Sequence, residues 1–134
     1  MVRLNKNTLP KSSLENLFKQ LSQTLGKLNA AQTELALSEL LGPEEKIMLA
    51  KRLGIMVLLT EGHSLYNIAR TLKVSPATAA KIKERLNRNQ CSNLQKMLQT
   101  NKKDYLKILD LLDSILTLDG NLPRYSGKDR YRHL

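Results

Sequence analysis

Between Arg70 and Arg88 the chain carries Arg70, Lys73, Lys81, Lys83, Arg85 and Arg88 against one acidic residue, Glu84. That stretch nets +5 of a formal +10 for the 134 residues. Cations at this density suit phosphate oxygens, which set affinity and its dependence on salt more than sequence choice. The chemistry is binding rather than bond-making. No paired carboxylates, no serine, histidine and aspartate arrangement and no glycine-rich phosphate loop stand at recognisable spacing, so no enzyme is expected. Cys91 is the only cysteine and His63 and His133 are the only histidines, which leaves neither an internal disulfide nor a metal-ligand set. Cys91 is expected to be a small buried apolar residue.

Charge alone does not choose between nucleic acid and an acidic membrane surface. No apolar run approaches the roughly 20 residues needed to cross a bilayer, and the opening MVRLNKNTLPKSS lacks the apolar stretch of a signal peptide. A cytoplasmic protein with no membrane partner is the expectation.

The cations need elements that present them, and EGHSLYNIARTLKVSPATAAKIKERLNRN reads as two short helices separated by a tight turn. Ser64 caps the first, while Ser75 followed by Pro76 caps and opens the second. Leu65, Ile68, Ala69, Leu72, Val74, Ala79 and Ile82 fall where a helix-turn-helix over 64–88 needs its internal packing. Ala69 supplies the small side chain that the helix crossing requires. Lys73 occupies a turn position that often carries Gly, so it must adopt a left-handed or rearranged backbone at a cost of about 1 kcal/mol.

Such a pair lays its second helix in the major groove of double-stranded DNA. The outer face of that helix is expected to hold Ser75, Pro76, Ala77, Thr78, Ala80, Lys81 and Glu84, with Lys83, Arg85 and Arg88 further round. Small residues at its start permit close approach, and Lys81 is the best placed for a base or phosphate contact. Ser64, Tyr66, Arg70 and Lys73 complete the candidate DNA-binding set.

The rest of the chain reads as helix, so the fold class expected is all-α. Leu14, Phe18, Leu21, Leu25 and Leu28 alternate steps of four and three, a narrow seam that suits either the protein's own core or a partner subunit. Thr33 to Leu41 suggests a second short helix, ended by Gly42-Pro43. From Pro43 to Glu61 apolar residues nearly encircle the helix, which predicts a centrally buried scaffold stopped at Gly62. Asn101 caps a later helix with Tyr105, Ile108, Leu109, Leu112, Ile115 and Leu116 on one face. The domains expected are a flexible N-terminus over 1–11, one helical domain over 12–119 and a basic flexible tail over 120–134.

The segments LLGPEE, LAKRL, LLTEGHS and SPATAAKIKERL, within residues 41–88, resemble the Trp-repressor superfamily and its YerC/YecD branch. The resemblance extends loosely over residues 12–99. It implies an intertwined homodimer whose seam is Leu14, Phe18, Leu21, Leu25 and Leu28, acting as a nucleoid-associated transcriptional repressor in a bacterium. In the Trp repressor two arginines clamp the corepressor. Here Arg52 matches one and Lys81 stands at the other, making Arg52 and Lys81 a possible effector pocket without the planar surface on which an indole would stack. No cofactor is therefore expected. Two other functions fit the same residues: a DNA-binding module of a mobile element or replication initiation system, and a helical adaptor that docks proteins through the Tyr105 to Leu118 helix.

Overall fold

The structure, a computed structural model, describes residues 8–118. They form seven helices and no strand, as an all-α chain requires. In order these are α1 (Lys11–Gly26), α2 (Ala30–Leu40), α3 (Pro43–Thr60), α4 (Leu65–Leu72), α5 (Pro76–Asn87), α6 (Ser92–Thr100) and α7 (Lys102–Leu118). Residues 1–7 of the expected N-terminal arm and the tail over 120–134 lie outside the described residues.

Local chemistry accounts for most helix ends. At α2 the side chain of Asn29 accepts from the Gln32 amide at 2.8 Å while Gln32 Oε1 accepts from the Asn29 amide at 3.1 Å, satisfying two otherwise orphaned donors. Before α3, Glu45 Oε1 accepts from the Gly42 amide at 2.8 Å, and Glu44 and Glu45 place negative charge in the first turn. Gly62, with φ 88°, ends α3. The amides of Gly62 and His63 then return to the carbonyls of Leu59 and Leu58. Asn101 Oδ1 accepts from the Asp104 amide at 3.3 Å and opens α7. A separate α6 was not foreseen, because its nine residues lack a side-chain cap to announce them.

The chain divides into two compact units, one ending at Leu49 and one beginning at Ala50, with α3 crossing the boundary. The second unit holds the core. Ile55, Val57, Leu58, Ile68, Leu72, Ala79, Ile82, Tyr105, Leu109, Leu112 and Leu116 are buried together. Gly54 lets this core close: a Cβ there would stand 3.2 Å from Leu72 Cδ1 and 3.4 Å from Leu112 Cδ2. A mid-helix glycine costs about 1 kcal/mol in propensity, offset here by the close approach of α4 and α7 to α3.

The expectation that α3 is centrally buried along its length is corrected. Only Gly54–Leu58 are buried, while Ile47 is 54% exposed and Leu49 is also exposed. The exposed half belongs to the first unit, where neither α1 nor α2 has a buried residue. Cys91 is likewise half-buried rather than buried, because it sits at the N-cap of α6 and meets the core only from its edge.

One polar pair sits inside the second unit. The Tyr105 hydroxyl donates to Glu61 Oε2 at 2.8 Å, with the tyrosine 2% and the glutamate 3% exposed. Burial, then the hydrogen bond to Glu61 and the charge of that carboxylate, push the Tyr105 phenol well above the ordinary tyrosine value. Tyr105→Phe should therefore cost about 2 kcal/mol of stability, since it strips a buried acceptor of its donor. The wild-type contribution is complete below the unfolded tyrosine value of about pH 10 and is lost as pH rises above it towards the folded value. Denaturant unfolding at rising pH should accordingly show wild type losing stability above pH 10 more steeply than Tyr105→Phe.

Candidate nucleic-acid interface

Ser64 and Ser75 begin the two helices that carry the cations, each in an extended conformation that frees its side chain to cap. Ser64 Oγ accepts from the Asn67 amide at 3.2 Å, and Ser75 Oγ accepts from the Thr78 amide at 3.1 Å. Pro76 opens α5, where its missing donor costs nothing. Both caps stand where their residue types require. Between the helices, Lys73 takes φ 56° and ψ 51°, the left-handed conformation that its position demands. The amides of Lys73 and Val74 both donate to the Ala69 carbonyl, so the chain reverses over a buried alanine.

The inner faces then lock. Ile68, Ala69 and Leu72 of α4 and Ala79 and Ile82 of α5 are buried, with Leu65, Val74 and Leu86 packed at the margin. With Ala79 and Ile82 turned inward, the opposite side of α5 faces solvent. Ser75, Pro76, Ala77, Ala80, Lys81, Lys83, Glu84, Arg85 and Arg88 are all exposed. Thr78 is half-buried because its hydroxyl turns back to Ser75 Oγ at 2.9 Å. Ser64, Tyr66, Arg70 and Lys73 are exposed on α4 and the turn, Tyr66 to 71%. One helix pair thus presents the whole candidate set, with Thr78 at its edge.

Two contacts modify the charge of this face. Arg88 pairs with Glu84 at 2.6 Å, one helical turn apart, which partly neutralises the far end of α5. Lys51 of α3 reaches the turn and donates from Nζ to the Lys73 carbonyl at 3.1 Å. Sequence reasoning missed the second because its partners lie 22 positions apart and no local signal joins them.

Arg52 and Lys81 each stand exposed, one on α3 and one on α5. A small cavity among Met56, Thr60, Gln95, Leu98 and Tyr105 is about the size of one water molecule, too small for an organic effector. Among the described residues no group of histidine, cysteine and carboxylate side chains could hold a metal ion, and no helix is long and apolar enough to cross a membrane. On α1, Leu14, Phe18 and Leu21 are exposed and Leu25 is half-buried, as is Leu28, which lies beyond the end of α1 rather than on it. The face of α7 formed by Tyr105, Leu109, Leu112 and Leu116 is buried in the second unit's own core.

No family model, curated protein or solved structure matches this chain.

Proposed function

We propose that this protein is a sequence-specific regulator of transcription, a repressor, that binds double-stranded DNA as a homodimer with α5 in the major groove. The observation that carries this reading is the two-sidedness of α5. Ala79 and Ile82 are buried while Lys81, Lys83, Arg85 and Arg88 face solvent, so a rigid helix offers a cationic ridge outward. Ser75, Pro76, Ala77 and Ala80 leave the start of that ridge slim enough to approach base edges, and Lys81 follows one turn on. Arg70, Lys73, Lys83, Arg85 and Arg88 supply phosphate contacts on either side.

Homodimerisation is part of the proposal because the first unit leaves its apolar residues in water. Leu17 and Phe18 on α1, Leu35 and Leu40 on α2, and Ile47 and Leu49 on α3 are all exposed, and helices of this length are marginal without an apolar face covered. A second copy covers these residues and also doubles the number of recognition helices. The resemblance of residues 41–88 to the Trp-repressor superfamily supports both the dimer and the repressor role. Binding takes place in the cytoplasm on the nucleoid, and no corepressor enters the proposal.

Selection from a random duplex pool tests it. Purified protein should enrich one sequence family with twofold symmetry, and affinity should fall steeply with salt, by a log-log slope near 0.9 for each phosphate neutralised. Retention of every sequence equally, or binding indifferent to salt, would refute the reading. A finer expectation comes from the Glu84–Arg88 pair. Glu84→Gln releases Arg88 and removes a repulsive charge, so affinity for random duplex at low salt should rise by about two- to fivefold, the scale of an exposed ion pair.

A further inference from the structure

Lys51 donates to a carbonyl whose position gives the contact leverage. Lys73 closes α4, where unpaired carbonyls carry partial negative charge and a cation is favourable. It does so with φ 56°, a conformation that a residue bearing a Cβ adopts only when its surroundings hold it there. Three positions later α5 begins, so any change in the turn changes the direction in which α5 leaves. Lys51 itself is half-buried on α3, one turn before the buried segment Gly54–Leu58. Its ammonium therefore reaches the turn from a helix that is anchored in the core one turn further on.

The geometry points to Lys51 as a positioning residue: its ammonium holds the Lys73 carbonyl, and with it the left-handed turn that aims α5. This rests on the reading of α5 as the helix that enters the groove. A lysine so close to the cationic face could instead grip a phosphate directly, and the two roles separate experimentally.

Lys51→Met keeps the aliphatic stem and removes the ammonium. In the full chain, amide hydrogen exchange at Val74, whose N–H donates to the Ala69 carbonyl, should accelerate about two- to fivefold, the range for a cation at a helix C-terminus. Exchange at Leu109 and Leu112 should not change. Discrimination between selected and random duplex should fall by a similar factor with the salt slope of wild type. In a Lys73→Gly background, glycine adopts the left-handed turn unaided, so adding Lys51→Met should move neither reading further. Unchanged exchange at Val74 would overturn the assignment. So would a binding loss that persists beside Gly at position 73 with a salt slope about one below that of the Lys73→Gly protein, whose own slope is already lowered by the loss of the Lys73 contact, since that marks Lys51 as a phosphate ligand. If wild type prefers no duplex at all, the DNA reading fails and the aiming role with it, whereas the exchange measurement still decides whether Lys51 holds the turn.

Discussion

Lys81→Ala is expected to lower affinity for the selected duplex by about 1–3 kcal/mol, roughly 5- to 150-fold, while affinity for random duplex falls far less. Lys81 is exposed one turn beyond the slim start of α5, the part of the helix that would meet base edges rather than the phosphate rails in the proposed docking. It lies between the buried Ala79 and Ile82, on the opposite side of the helix, so its removal leaves the packing against α4 intact. Arg88→Ala makes the control. Arg88 stands at the end of α5 and shares its charge with Glu84, so its loss should weaken selected and random duplex about equally and reduce the salt slope by about one. Competition titrations against both duplexes at several salt concentrations separate these outcomes. If Lys81→Ala leaves discrimination untouched, α5 does not read base edges.

Phe18→Glu should separate the proposed dimer. The ring is 68% exposed within its own chain, so the protomer loses little when the ring is replaced. A subunit interface loses it twice. Each buried phenylalanine contributes about 1.5–3 kcal/mol, and twofold symmetry doubles this to roughly 3–6 kcal/mol per dimer, before the cost of burying two carboxylates. Sedimentation should show a single-chain mass at concentrations where wild type sediments as two, with near-ultraviolet signals of the Tyr105 core retained. Leu21→Glu, on the same stripe, should act in the same direction. A dimer that survives both substitutions would remove α1 from the interface. Operator binding should fail together with dimerisation, because one α5 holds only one half-site.

The helix starts were legible because caps are local. Ser64, Ser75-Pro76 and Asn101 each carry their function within three or four residues of chain, and each caps in the structure as its type dictates. A special backbone at Lys73, left-handed or rearranged, was legible because the residue stands where such a turn often carries Gly, and the structure takes the left-handed form. The outer face of α5 follows from helical period once Ala79 and Ile82 are taken as its inner side. Periodicity failed on α3. Nearly continuous apolar character there reads as burial all round, yet the half before Ala50 belongs to the unit that has no buried residue among those described. An apolar pattern records that a face must be covered, without recording which chain covers it.

By itself the sequence determined the all-α character, the capped starts of α4, α5 and α7, and the side of α5 on which the cations gather, because these depend on interactions spanning a turn or two of helix. Tertiary structure alone decided that Lys51 grips the Lys73 carbonyl, that Tyr105 donates to a buried Glu61, and that Gly54 admits Leu72 and Leu112. Those contacts join residues 18 to 58 positions apart. No local pattern encodes them, since they exist only once loop closure has brought distant helices together and burial has made each polar group find its partner.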